Sequence, residues 1–270
     1  MALLKVFGKK FARLIIIPVL LHCCIVGLII PSTSLAQKQG DWQLAKMPAD
    51  LETELALTAL PPHLRAQATV YLLDLAKGYY ATRQGSNGFV CFISRTEWEW
   101  AEFRNDLAAP MAYDPEGAKT IFPVYKEVAE MRASGKFTPL QIKDTIINRI
   151  RNGFYKAPSK AGISYMLAPI MRVYTGKPGD KTVMTMNMPH YMFYAPYITD
   201  ADAGTTDLSG PALINSGNTV LGDGKGPHGY FIMAANADES AKILEAGKGL
   251  LKRLADYSPY FKVDAAAMHH

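Results

Sequence analysis

The feature that most constrains the fold of this chain is a change of hydrophobic periodicity near Gly153. Before it, Asp114 followed by Pro115, and the capping box Thr138-Pro-Leu-Gln141, begin two helices with apolar residues every three or four positions. After it, apolar and aromatic runs alternate with turn residues, which is typical of strands. We therefore predict an α+β protein: an N-terminal helical half packs on a C-terminal antiparallel sheet, and a final helix capped by Asp238 closes the chain.

Three shorter elements are predicted in the first hundred residues. A helix begins near Pro48 and stops at Pro61-Pro62, and a second helix carries Leu64 to Leu75 on its apolar face. The segment Phe89 to Ile93 follows a turn cluster and is β-branched and aromatic, so it is predicted to be a buried strand. Cys91 lies at its centre, which favours an inert, buried thiol.

The N-terminus has the pattern of a secretory signal peptide. Four basic residues precede the apolar run Leu14 to Ile30, and Ser34-Leu-Ala36 offers small residues for cleavage. We predict a signal peptide over 1–36, a mature protein that starts at Gln37, and export to the periplasm or the medium. The alternative is an uncleaved anchor, because the apolar run approaches spanning length. Membrane contact is expected only through this segment, if it is not cleaved.

Removal of the signal peptide changes the charge balance. Residues 1–36 hold four of the 29 Lys and Arg and no Asp or Glu, so 29 − 4 = 25 basic residues face 24 acidic ones. The mature chain is therefore nearly neutral and lacks the basic excess of a nucleic-acid-binding protein. One exported α+β domain is predicted over 37–264. Residues 265–270 are interpreted as a disordered tail or the remnant of an expression tag.

The segments Ile163 to Tyr174 and Thr182 to Tyr194 are predicted to form a β-hairpin. Pro169 and Pro189 each remove a backbone donor, so the strands must be edges or be bulged there. If Tyr174 faces Thr182, Met166 faces His190 across the pair.

The second hairpin strand places five soft ligands at alternate positions. In an extended strand these side chains share one face, and thioether and imidazole groups suit Cu(I). The alternative is an apolar core face that uses methionine, because same-face neighbours lie about 7 Å apart, which is too far for a ready-made site. The metal hypothesis assigns Met186, Met188 and His190 as ligands. The five residues are Met184, Met186, Met188, His190 and Met192.

Two histidines follow prolines, His190 in Met-Pro-His-Tyr and His228 in Gly-Pro-His-Gly. Rigidly placed imidazoles are candidates for a general acid/base pair. The alternative is two unrelated histidines. The glycine-rich run Gly222 to Gly229 has the spacing of phosphate-binding loops but precedes a strand, so a surface loop or lid beside His228 is the favoured interpretation.

A cluster of aromatic and acidic residues occupies the segment after the first predicted strand. Trp98, Trp100 and Phe103 alternate with Glu97, Glu99 and Glu102. Such a cluster lines a ligand cleft in some proteins and caps a core edge in others.

Three function classes remain open. The first is an exported protein that binds a small ligand or a soft metal, with copper the candidate, near His190. The second is an exported enzyme, such as a hydrolase, with His190 and His228 as general acid and base. The third is a structural or interaction protein with no small-molecule site. The signatures of zinc proteases, thioredoxin-like proteins, nucleophile-elbow hydrolases, P-loop proteins and EF-hands are absent from the sequence.

Overall fold

A computed structural model describes residues 42–174, 182–204, 213–215 and 225–262. The predicted signal peptide over 1–36 and the predicted tail over 265–270 lie outside these ranges and stay predictions. Among the described residues, no helix is both long enough and apolar enough to cross a membrane.

The centre of the described structure is a mixed sheet of eight strands in the order β2-β1-β3-β4-β5-β8-β10-β9. Its neighbouring strands run antiparallel except for β1 and β3, which are parallel. The remaining strands, β6 and β7, form a separate two-stranded sheet. The strands are β1 Thr69–Asp74, β2 Gly78–Arg83, β3 Val90–Ser94, β4 Ala109–Tyr113, β5 Ile163–Met166, β6 Met171–Tyr174, β7 Val183–Met186, β8 His190–Tyr194, β9 Leu213–Asn215 and β10 Tyr230–Ala234.

Helices cover both faces of this sheet. On one face, the core contains Tyr113 and Met192 and packs against α4 and α5. On the other face, the core contains Cys91 and Ala112 and packs against α1 and α7. The helices are α1 Ala49–Thr58, α2 Pro62–Arg65, α3 Pro115–Thr120, α4 Phe122–Ser134, α5 Pro139–Arg151, α6 Asp200–Ala203 and α7 Ala237–Tyr257, with 3₁₀ turns at Trp98–Trp100 and Pro259–Phe261.

The predicted α+β class is confirmed, with helices in the N-terminal half and a long helix after the last strand. The sheet also draws four strands, β1 to β4, from the first half of the chain. The predicted helix over Leu64 to Leu75 is wrong, because only Pro62–Arg65 is helical and Thr69–Asp74 is strand β1. Short apolar runs fit both the helical and the strand periodicity. Here the segment forms a strand because it pairs with β2 and β3.

The helix ends follow the predicted local signals, with two shifts. The Asp114 side chain accepts the Gly117 amide at the start of α3, and the Thr138 capping box is formed at the start of α5. The predicted single helix after Pro115 is divided into α3 and α4, with Pro123 in the first turn of α4. The final helix is capped by Asn236 rather than Asp238.

The predicted hairpin is interrupted at its two prolines. Met166 pairs with His190 between β5 and β8, as predicted. Tyr174 pairs with Val183 instead of Thr182, so the register between β6 and β7 is shifted by one residue. The shift falls where Pro169 and Pro189 lack donors, which separates the hairpin into a part inside the main sheet and a part outside it.

Candidate functional site

His190 lies inside the core, in the row of side chains that crosses the sheet. It is opposite Met166 on one neighbour strand and Ala234 on the other. Its side chain is buried at 3% exposure, and its Nδ1 lies 2.8 Å from the Met188 carbonyl oxygen. Burial lowers the pKa of this imidazole, and the backbone hydrogen bond opposes the shift only partly. The structure therefore shows a buried histidine whose ring is held by a backbone carbonyl and whose charged form is disfavoured by burial.

The methionines around His190 do not share one environment. Met192 is buried at 2% exposure in the main core, whereas Met188 is 42% exposed. Met186 belongs to β7 and packs against the edge of the core. The extended strand stops between Met186 and His190, so the alternation that puts all five side chains on one face does not continue through Pro189.

The soft-metal hypothesis stays a prediction. No three His, Cys, Asp or Glu side chains converge on a common position within the part of the chain that the structure describes. That finding concerns only oxygen, imidazole and thiolate ligands. It does not test a site whose ligands are methionine thioethers. Met186, Met188 and His190 remain the residues on which a copper site would depend.

His228 lies at the opposite end of the β8–β10 pair from His190. Tyr230 pairs with Tyr194 and Ala234 pairs with His190, so His228 extends beyond the far end of β8. His228 precedes β10 by two residues, and the four steps from Tyr230 to Ala234, the partner of His190, alone span about 13 Å. The structure thus does not bring the two imidazoles together as a general acid/base pair. His228 instead places its Nε2 3.1 Å from the Lys156 carbonyl oxygen.

A pocket of about 450 Å³ opens between α4, the start of the described chain and the β1–β2 turn. We call it the arginine pocket, because Arg95 and Arg132 both line it. Its walls also carry the aromatic rings of Trp42, Tyr79 and Tyr125. The full lining is Trp42, Gln43, Leu44, Leu73, Asp74, Leu75, Tyr79, Arg95, Thr96, Tyr125, Val128, Ala129, Arg132, Ala133 and Gly135.

Backbone carbonyls hold both guanidinium groups in place. Arg132 donates to the Arg95 carbonyl at 2.8 Å and to the Trp42 and Phe103 carbonyls at 2.6 Å each. Arg95 donates through Nε to Leu107 at 2.6 Å and through a terminal nitrogen to Asn105 at 2.8 Å. These carbonyls orient the cations without neutralising their charge.

Within the described residues, neither arginine forms an ion pair. Desolvation, together with the positive charge of Arg95, lowers the pKa of Arg132 to about 10. Burial raises the pKa of Glu52, and the charge of Arg95 opposes this shift. The Oε1 of Glu52 accepts the Leu73 amide at 2.9 Å. Asp74 lines the pocket, with its Oδ1 accepting the Ala76 amide at 2.8 Å. Two desolvated cations of this kind favour an anionic occupant.

A tight turn next to the pocket carries the acidic residues Glu97 and Glu99. Glu97 and Glu102 exchange backbone hydrogen bonds of 2.9 and 3.1 Å, and Ala101 closes the turn at a φ of 54°. Desolvation and the charge of Glu99 raise the pKa of Glu97 to about 8, and desolvation raises that of Glu99 to about 7. Both side chains keep partial contact with solvent. Neither forms an ion pair with another described residue.

Three buried phenols face this turn across the core. Burial raises the pKa of the Tyr113, Tyr125 and Tyr230 hydroxyls, and the charge of Glu99 raises it further. The hydroxyl of Tyr113 is fully buried. Tyr125 also lines the arginine pocket, and its ring centroid lies 6.1 Å from that of Tyr113. The acidic turn and the pocket are therefore neighbours.

This arrangement combines two kinds of chemistry. Guanidinium groups bind carboxylates and phosphates through paired N–H donors. Carboxyl groups with a pKa near neutrality can take up and release protons at working pH. The acidic turn had a signal in the sequence, the density of Trp and Glu over Glu97 to Glu102. Arg95 and Arg132 had none, because they come from separate segments that only the fold brings together.

Comparisons with protein-family models, with curated proteins and with solved structures each give no match for this chain.

Proposed function

We propose that this protein is an exported binding protein for a small organic anion, a carboxylate with an apolar or aromatic body, which it takes into the arginine pocket. The observation that carries the proposal is the pair Arg95 and Arg132, desolvated and free of ion pairs among the described residues, in a cavity with aromatic walls. The volume of about 450 Å³ lies in the range of small-molecule sites.

The geometry supports a carboxylate with a ring more than a bare inorganic ion. Trp42 stacks on Phe103 with ring centroids 5.7 Å apart, and Tyr79 is fixed by its hydroxyl, which donates to Ile93 at 2.6 Å. Rings that are already held lose little freedom when they contact a ligand. An apolar ligand body would contact these walls while its carboxylate meets the guanidinium groups.

The export part of the proposal rests on the N-terminal segment. Its basic residues, apolar run and Ser34-Leu-Ala36 fit a cleaved signal peptide. Expression in a bacterial host followed by N-terminal sequencing of the periplasmic fraction tests it. We expect a mature chain that starts at Gln37, and retention of the full-length chain in the membrane fraction would contradict cleavage.

Benzoate is a suitable probe for the pocket, with benzamide as its neutral counterpart. We expect isothermal titration to show binding of benzoate and at least about 30-fold weaker binding of benzamide, because a hydrogen-bonded charge contributes about 2 kcal/mol. The variant Arg132→Gln should lose benzoate binding to a similar extent. Equal affinity for the acid and the amide would overturn the proposal.

Two further variants separate binding from folding. Lys126→Gln removes a cation from the same helix outside the pocket lining and should leave benzoate binding unchanged. Ala133→Leu keeps both arginines but fills the pocket from its wall, and it should abolish binding even if Arg132→Gln unfolds the protein. Full binding by the Ala133→Leu variant would place the ligand elsewhere.

An exported enzyme is the second candidate, and a specific observation favours it. The pKa values of about 8 for Glu97 and about 7 for Glu99 lie near neutrality, where a general acid or base works best. The catalytic groups would then be these carboxyls instead of His190 and His228. A panel of nitrophenyl esters and glycosides tests the idea: activity should disappear in Glu97→Gln and Glu99→Gln and persist in His190→Gln. Activity that survives both glutamate replacements would exclude them.

A further inference from the structure

The arginine pocket also contains an acidic side chain. Asp74 is the last residue of β1, and it is the one Asp or Glu among the described residues that line the pocket. The cations of the lining, Arg95 and Arg132, come from the residue after β3 and from α4. Three separate elements thus bring both signs of charge to one cavity.

Asp74 does not neutralise either arginine. Within the described part of the chain it forms no ion pair, and Arg95 and Arg132 donate to backbone carbonyls instead. A carboxylate and a guanidinium that can reach each other commonly pair through two N–H donors. The fold therefore keeps the opposite charges of this pocket apart.

The carboxylate of Asp74 has one structural contact. Its Oδ1 accepts the Ala76 amide at 2.8 Å, in the turn between β1 and β2. No described residue donates to its Oδ2. Because an ionised carboxylate can accept hydrogen bonds at both oxygens, the same group can hold the turn and accept a hydrogen bond from a ligand.

Exposure increases along the pocket wall that β1 and its turn contribute. Leu73 is 9% exposed, Asp74 is partly exposed, and Leu75 is 39% exposed. Arg95 is only 5% exposed. The charge of Arg95 acts on Glu52, which accepts the Leu73 amide. Arg95 therefore lies toward the buried end of the wall, and Asp74 lies nearer its exposed end.

Building on the carboxylate site proposed above, we infer that the ligand is a zwitterion, with a primary amine and a carboxylate on one apolar body. The carboxylate meets the two arginines, and the ammonium group donates to Asp74. The body lies between them against Trp42 and Tyr79. A simple carboxylate would leave Asp74 beside an apolar surface, and a second anionic group would be repelled by it.

The probes are para-(aminomethyl)benzoate and para-ethylbenzoate, which differ in an ammonium group and a methyl group of similar size. Isothermal titration of the full mature chain should show about 10-fold tighter binding of the amine, because a charge-assisted hydrogen bond contributes at least that factor. Asp74→Asn should remove this preference and leave para-ethylbenzoate binding unchanged. Asparagine keeps the oxygen that accepts the Ala76 amide, so the turn should persist.

Glu130→Gln is the matched control. Glu130 belongs to α4, as Arg132 does, but it is exposed and lies outside the lining. Its replacement should leave the preference for the amine intact. Equal loss of the preference in Asp74→Asn and Glu130→Gln would show long-range attraction and overturn the inference.

A second pair of probes, phenylalanine and hydrocinnamate, distinguishes the position of the amine. Tighter binding of phenylalanine places the ligand among the α-amino acids. A preference confined to the benzoate pair places the amine at the far end of the body from the carboxylate.

The failure of the zwitterion differs from the failure of the organic-anion site. Equal or weaker binding of the amine in both pairs would exclude the zwitterion and leave the organic-anion site standing. Absence of binding for all four probes would exclude the organic-anion site itself. Weaker binding of para-ethylbenzoate to Asp74→Asn would mean that Asp74 supports only the shape of the pocket, which would also overturn the inference.

Discussion

Strand β8 and the acidic turn at Glu97–Glu102 both place polar side chains against the same core, and they do so differently. In β8, His190 sits in a regular strand with its Nδ1 2.8 Å from a backbone carbonyl oxygen. In the turn, Glu97 and Glu99 hold carboxyl groups that burial drives toward the protonated form without an ion pair among the described residues. The fold gives the histidine a hydrogen-bond partner. The two glutamates have no ion-pair partner among the described residues, so a ligand or a proton transfer can change their charge.

The difference separates polar side chains whose needs the core satisfies from those that are available for binding or proton transfer. Regular alternation along β8 marks burial, since each inward side chain meets a partner on a neighbouring strand. The irregular turn, with Ala101 in a left-handed conformation, instead presents two acids side by side near three phenols. Loops and turns on a rigid scaffold commonly carry the chemistry of a protein.

The largest expected effect is the difference in stability between replacing a buried methionine and replacing an exposed one. Met192→Ala should lower the free energy of unfolding by about 3 kcal/mol, because it empties a buried site. Met188→Ala should change it by no more than about 0.5 kcal/mol, because the side chain is exposed. Urea denaturation measures both. Similar losses would mean that the two methionines share one buried face after all.

The acidic turn should make the protein less stable as the pH rises. The unfolded chain releases the Glu97 and Glu99 protons near pH 4.5, while the folded protein holds them to about pH 8 and 7, so stability falls across this window. Glu97→Gln should therefore raise the free energy of unfolding at pH 8 by on the order of 1 kcal/mol and have less effect near pH 4.5. Denaturation curves at the two pH values check this. A variant that is less stable at pH 8 would contradict the raised pKa.

His190 should show the opposite dependence. Its pKa is lowered by burial, so the unfolded chain takes up the proton first and stability falls as the pH drops below about 6.5. His190→Gln should remove this contribution, which is at most about 1.4 kcal/mol per pH unit. Unfolding midpoints between pH 5 and 7 measure the slope, which is independent of any constant loss from the replacement. An unchanged slope would mean that the imidazole titrates normally.

The smallest expected effect concerns copper. Met188 faces solvent and His190 lies in the core, so their side chains occupy different environments. We expect the Met186/Met188/His190 triple alanine variant to take up Cu(I) as weakly as the wild type in a competition titration. Tight uptake by the wild type that disappears in the triple variant would support the soft-metal hypothesis.

Local sequence signals predicted much of this fold. The caps at Asp114 and Thr138 begin helices where expected, and the Met166–His190 pair was placed correctly. The signals failed in Thr69–Asp74, where the apolar residues fit both a helix and a strand. Pairing with neighbouring strands determines the structure of such a segment. They failed again at Pro169 and Pro189, where proline predicts a break but not a shift of register.

The candidate site was less accessible to sequence reasoning. His190 and His228 stood out because histidines are scarce, yet the sheet register separates them. The arginine pocket brings together Arg132 of α4 and Arg95, which directly follows β3. No local sequence pattern predicts this proximity. The raised pKa values of Glu97 and Glu99 depend on desolvation, which arises only once the core has formed around the turn.

The pairing of the first and last long helices has a consequence for how the chain acquires its structure. Arg253 of α7 forms ion pairs with Glu54 and Asp50 of α1, 199 and 203 positions away along the chain. Leu250 and Leu254 cover the same sheet face as α1, so this face stays open until nearly the whole polypeptide has been synthesised. Such a high contact order slows folding. Late closure of this face agrees with the export proposed above, since an incompletely folded chain can pass through a secretion channel.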